Sequence, residues 1–180
     1  MIEVIVESIR VNMANYKRVV MLKEKGSTRY LPIWIGHFEA DAIAIPMQKV
    51  PVSRPLTHDL LRSAIDALGA RLERVVISDL ADETFFAKLI LDRDGKTLEV
   101  DARPSDAIAL AIRAEVSIFV EEKVLDSAGM IFDGEEGADA ETKKGREESI
   151  PLDEEKLAVF KQFINTLEID DLEKGGESKQ

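Results

Sequence analysis

Two hydrophobic periods divide the chain. Residues 2–11 are extended in character and rich in Ile and Val, and Arg18-Val19-Val20-Met21-Leu22-Lys23 resumes the same pattern. Asn15 is a turn residue between them, which predicts a hairpin. A turn over residues 24–28, with Gly26, leads to a third strand at Arg29–Ile35. Pro32 has no N–H to give to a ladder, so this strand is expected at an edge or with an irregular start. After Gly36 the pattern turns helical over residues 37–45, and Pro46 should stop or kink that helix at a cost of about 3 kcal/mol.

A second helix is expected from Thr57, its N-cap, to the stop at Gly69, with Leu60, Leu61, Ala64, Ile65 and Leu68 on one face. Three strands follow near 71–79, 84–91 and 97–101, the last two joined by the turn Asp92-Arg93-Asp94-Gly95-Lys96. A third helix begins at Pro104 or Ser105. Its run Ala107-Ile108-Ala109-Leu110-Ala111-Ile112 is apolar on every side, which predicts deep burial. A short buried strand at 116–120 and a short helix at 121–125 complete the pattern. Strands and helices mix without regular alternation. This favours an α+β fold over a doubly wound sheet: one compact domain of mixed or antiparallel strands packed against helices, plus a C-terminal helix.

The C-terminal third reads differently. The globular domain is expected over 1–126. Residues 127–150 are glycine-rich and charged, without an apolar period, and read as a flexible acidic loop. Residues 151–169 are expected to form a docking helix, with Leu157, Phe160, Ile164 and Leu167 at helical spacing, and 170–180 read as a disordered tail. The net charge of −11 sits mostly here: residues 133–180 carry 15 acidic against 7 basic side chains. The remainder is close to neutral, so high-affinity electrostatic binding of DNA is not expected. A nuclease that borrows charge from a metal ion is still compatible with that balance. There is no cysteine, hence no disulfide, thiolate metal site or cysteine nucleophile. No apolar run approaches a membrane span and Glu3 stands where a signal peptide would be basic, so a cytoplasmic protein is expected.

The chemistry-bearing residues gather in a layout used twice. Ser53-Arg54-Pro55-Leu56-Thr57-His58-Asp59 and Asp101-Ala102-Arg103-Pro104-Ser105-Asp106 each place an arginine before a proline, then a hydroxyl and an aspartate, then an apolar helix. Each is first of all a good helix start. The residue before proline avoids the α region, proline suits the first turn, and carboxylates suit the positive end of the helix dipole. Arg103 could simply pair with Asp106 or Asp101. The functional alternative has Arg54 and Arg103 holding a phosphate and His58 moving a proton. Asp59, Asp101, Asp106 and Glu39 would then be candidate ligands of Mg²⁺ or Mn²⁺. Glu39 and Asp41 also fit the first turns of a helix as dipole partners, and Asp79 is a weaker candidate. Trp34, the sole tryptophan, lies between Ile33 and Ile35 and is expected in the core rather than as a base-stacking platform.

Leu31-Pro32-Ile33-Trp34-Ile35-Gly36, Glu39-Ala40, Arg54-Pro55-Leu56-Thr57-His58-Asp59-Leu60-Leu61, Thr84-Phe85-Phe86-Ala87 and Asp101-Ala102-Arg103-Pro104-Ser105-Asp106-Ala107-Ile108-Ala109-Leu110-Ala111 occur in this order and at this spacing. In this the chain resembles the bifunctional nuclease domain family, over about residues 1–125. The resemblance implies a compact α+β domain, hydrolysis of phosphodiester bonds in both DNA and RNA, and a homo-oligomer such as a dimer. It assigns no catalytic residues. One departure is Pro46, where the family pattern continues a helix. The rival expectation is a non-catalytic oligomeric binding or regulatory module, in which the twin motifs only start helices and brace the fold.

Overall fold

The computed structural model describes residues 1–11 and 16–131. Among them, strands β1 (Ile2–Val11), β2 (Arg18–Glu24) and β3 (Arg29–Ile35) come first, followed by helices α1 (His37–Met47) and α2 (Thr57–Ala67). Strands β4 (Arg71–Ala81), β5 (Thr84–Arg93) and β6 (Lys96–Ala102) lead into α3 (Pro104–Ala114). Strand β7 (Ser117–Val120), helix α4 (Glu122–Ala128) and the short β8 (Met130–Ile131) complete the order. The fold is α+β, as the unequal mixture of periods predicts. The acidic loop beyond residue 131, the C-terminal docking helix and the tail lie outside the described residues.

The strands form one mixed sheet in the order β6-β5-β4-β7-β1-β2-β3-β8. Every described pairing is antiparallel except β4 with β7. That exception follows from the chain path. From the edge strand β6, α3 passes back over β5 and β4 and delivers β7 between β4 and β1. A helix crossing that much sheet is covered on most sides. Ala107, Ile108, Ala109 and Ala111 are fully buried and Leu110 nearly so, which accounts for the apolar run. Val4, Val20, Leu22, Leu31, Ile33, Val75, Ile77, Leu89, Ile118 and Val120 pack with it in one cluster.

Local chemistry explains most boundaries. Asp94 and Gly95 both have positive φ (53° and 75°), the geometry of a tight two-residue hairpin turn. Pro32 pairs with Met21 on β2, while β8 reaches only Arg29 and Tyr30, so Pro32 lies where β3 has become an edge. Four readings need correction. Helix α1 continues through Pro46 and ends at Met47. Thr57 is the first helical residue of α2 and Leu56 is its N-cap. Strand β8 lies inside the segment read as loop, because a two-residue bridge has no period to detect. Trp34 is 46% exposed, not core. The side chains of β3 alternate: Ile33 and Ile35 face the core cluster, which turns Trp34 to the other side of the sheet. The apolar face of α2 is also open, with Leu60 and Leu68 64% and 71% exposed.

Candidate functional site

The two helix starts meet. Helix α2 begins with Thr57-His58-Asp59, and α3 begins with Pro104-Ser105-Asp106 behind its N-cap Arg103. His58 Nε2 lies 3.2 Å from Asp106 Oδ1. On its other side Asp106 is forked by one guanidinium: Arg103 Nε donates to Oδ2 at 2.7 Å and Nη2 donates to Oδ1 at 3.2 Å. The third donor of the same group, Nη1, reaches Glu39 Oε1 on α1 at 3.0 Å. His58, Asp106, Arg103 and Glu39 therefore form one chain of charged side chains drawn from three helices.

Its electrostatics follow from the contacts. Partial burial of Asp106 opposes ionisation. The hydrogen bonds and charges of Arg103 and His58 outweigh it, and hold the carboxyl below its usual range. The hydrogen bond and charge of Asp106 raise the already high pKa of Arg103, with a smaller contribution from Glu39. An ionised Asp106 is only an acceptor, so in neutral His58 the proton sits on Nε2 and the lone pair on Nδ1. No hydrogen bond to Nδ1 is found among the described residues. His58 is mostly covered, and Arg103 is largely exposed. The result is a shielded imidazole beside an accessible guanidinium.

Asp59 has a different task. Its Oδ2 accepts the backbone N–H of Leu56 at 2.7 Å, closing the start of α2. Its Oδ1 accepts from Arg113 Nε at 2.7 Å. Burial pushes the Asp59 carboxyl up, but the Leu56 N–H and the Arg113 ion pair win and hold it low. Arg113, with a side chain only 5% exposed, also donates through Nη1 to Ala42 O at 2.7 Å and Ala109 O at 2.8 Å. Its own carbonyl accepts from Arg62. One arginine thus ties α1, α2 and α3 together behind the surface chain. Residue type alone hid it: an arginine near the end of an apolar helix reads as a C-terminal dipole partner. The usable signal was Pro46, which announces an unpaired carbonyl at Ala42.

The remaining sequence candidates are not gathered. Arg54 is exposed in the connector and has no described ion pair. Asp101 is exposed on β6 opposite Lys88. Among the described residues no three His, Asp or Glu side chains are placed to hold a metal ion. Asp106 is held by Arg103 and His58, Glu39 Oε1 by Arg103, and Asp59 by the Leu56 N–H and Arg113, while Asp101 stands apart. In this arrangement the four do not fit a shared Mg²⁺ or Mn²⁺. Among the described residues, no helix is long and apolar enough to cross a membrane.

Residues 20–133 match the family model of the bifunctional nuclease domain, and the chain belongs to that family. It is similar to an uncharacterized protein of Mycobacterium tuberculosis, 44% identical over 169 residues, which cover 94% of this chain and 96% of that protein. It is also similar to bifunctional nuclease 2 of Arabidopsis thaliana, 30% identical over 122 residues, covering 66% of this chain and 37% of the plant protein. Bifunctional nuclease 2 of Oryza sativa subsp. japonica is 30% identical over 115 residues, covering 62% and 35%. The matched segments thus span little more than a third of these plant relatives.

Proposed function

We propose that this protein is a nuclease that hydrolyses phosphodiester bonds of DNA and RNA at the paired helix starts. The observation that carries the reading is the contact of His58 with Asp106, which is itself held by Arg103. Phosphodiester hydrolysis needs a base for the attacking water and a cation for the charge that grows on the phosphoryl oxygens. His58 Nδ1 is the base, oriented by Asp106 through Nε2. Exposed Arg103 binds the phosphate, and Glu39 fixes the plane of its guanidinium. Arg54, exposed ahead of α2, is a second phosphate contact. The family name and the plant relatives support the substrate class.

No step in this scheme passes through a metal ion. Recruitment of Mg²⁺ or Mn²⁺ would require Arg103 to release Asp106 and Glu39, and ion dependence is read by assaying cleavage with and without each cation. We place the reaction in the cytoplasm. The open faces of α2 favour a homo-oligomer, and a binding module without catalysis is the second reading that those faces support. His58→Ala and Asp106→Asn decide between the two. Either variant, folded as judged by circular dichroism, should lower single-strand cleavage by about 10²-fold or more. Cleavage at the wild-type rate by both variants would leave the binding module.

A further inference from the structure

The sheet has a second buried face. Along β2, Val20 and Leu22 belong to the core cluster, so Val19 and Met21 alternate to the opposite side. Trp34 and Pro32 lie across from them on β3. Val19 and Met21 are nonetheless fully buried, and so are Pro32 and Tyr30. The described helices pack on the other side of the sheet: Ile43 of α1, Ile108 of α3, and Val124 and Leu125 of α4 all lie in the core cluster. Side chains stand roughly perpendicular to a sheet, so neighbours on the same face shield the flanks of Val19 and Met21 but not their tips. The border of this face is cationic. Arg10 lies opposite Val19 on β1. Lys17 Nζ stands 5.9 Å from the Trp34 ring centroid, and Lys23 Nζ 5.3 Å from that of Tyr30. None of Arg10, Lys17, Tyr30 and Trp34 is without a partner.

The chain itself carries an occupant for this face. Strand β8 pairs with Arg29 and Tyr30 of β3, so the chain leaves the described domain beside it. Residues 151–169 follow after a connection over 132–150. A coil of that length spans about 25 Å on average, or about five strands of a sheet. Such a tether holds its far end at an effective concentration of about millimolar, so even a weak contact is populated. Leu157, Phe160, Ile164 and Leu167 would form one apolar stripe on a helix. Asp153, Glu154 and Glu155 precede the stripe, and Glu168, Asp170 and Asp171 follow it. Acids at both ends of an apolar stripe complement an apolar face bordered by Arg10, Lys17 and Lys23. We propose that residues 151–169 dock as an amphipathic helix on the β1–β2–β3 face of their own chain, over Val19 and Met21.

The test uses the full chain, with Trp34, its sole tryptophan, as an energy-transfer donor on the border of the face. An aminonaphthalene acceptor is attached at Gln162→Cys, off the apolar stripe, in a chain with no other cysteine. Transfer should be high in the folded chain, collapse in urea and stay constant on dilution. Phe160→Asp with Ile164→Asp should abolish it, shift Trp34 emission to the red and lower the melting temperature by about 5 °C or more. On the other side of the contact, Lys17→Glu with Lys23→Glu should lower the transfer, in a chain whose fold is checked by circular dichroism. Leu60→Ser with Leu68→Ser, on the open face of α2, should leave it unchanged. Low transfer in the folded labelled chain, or transfer that survives the Phe160 and Ile164 changes, would overturn the docking. Loss on dilution would assign the contact to a second copy instead. A response to the α2 pair, and none to the lysine pair, would place the segment on α2, against the proposal.

Discussion

Arg113 on α3 completes the gap that Pro46 leaves in α1. In an unbroken helix the N–H of residue 46 would bond the carbonyl of Ala42. Proline has none to give. Arg113 Nη1 donates to that carbonyl instead, at 2.7 Å, and the same guanidinium pairs with Asp59 at the start of α2. A residue that costs α1 a hydrogen bond thereby gives α3 a fixed point on α1. This relation also accounts for the continuation of α1 to Met47.

Removing either end of the Asp59–Arg113 pair should destabilise the domain without touching the exposed cluster directly. Asp59→Asn leaves a guanidinium that is nearly fully buried without its counter-charge. The expected loss is about 3 kcal/mol, the lower end for a buried pair because Asp59 is about a third exposed. Urea denaturation read by circular dichroism measures it. A loss under about 0.5 kcal/mol would show that the pair is not a structural pin.

Pro46→Ala supplies the missing N–H, which then competes for Ala42 O. Arg113→Leu should therefore cost less in the Pro46→Ala background than in the wild type, with a coupling of about 1 kcal/mol, the net worth of one hydrogen bond. A double-mutant cycle of unfolding free energies reports this coupling. Strict additivity would separate Pro46 from Arg113.

These two residues mark what the sequence conveyed and what it could not. Strand and helix periods, the twin helix starts and the burial of residues 107–111 were legible because each is written locally, in spacing or in cap chemistry. Asp59 and Asp106 occupy matching places in matching motifs, so nothing local distinguishes them. Their roles separate only when α3 crosses the sheet and brings Arg113 to one and His58 to the other. Asp101 is near Arg103 in sequence but extends along β6, where the strand directs it toward Lys88. Trp34 was misread for a related reason: apolar neighbours suggested a core strand, but alternation places successive side chains on opposite faces.

Gly36→Ala should be inexpensive for folding and costly for activity. Gly36 has a φ of −75°, which alanine adopts without strain, but its Cβ would collide with Glu39 Oε2. The carboxylate must swing away and release Arg103 Nη1. The expected result is a shift in melting temperature of about 2 °C or less with a cleavage rate at least about tenfold lower. Equal losses of stability and activity would point to general damage instead.

Acid should unfold the domain partly through these aspartates. Asp59 and Asp106 both have folded pKa values below their usual ones. The stability they contribute is complete above the unfolded aspartate value of about 3.9 and declines as pH falls through their lower folded values. Melting temperature should thus fall more steeply below about pH 4 in the wild type than in Asp59→Asn or Asp106→Asn. Parallel pH profiles would show that these contacts do not carry that linkage.

The two helix starts are proposed to act as one site, through His58 and Asp106. A double-mutant cycle in single-strand cleavage, with His58→Ala, Asp106→Asn and the double variant, tests it most directly. Residues acting as a unit are non-additive. The double variant should be about as slow as the slower single variant. Multiplied losses, or wild-type rates in both single variants, would contradict it.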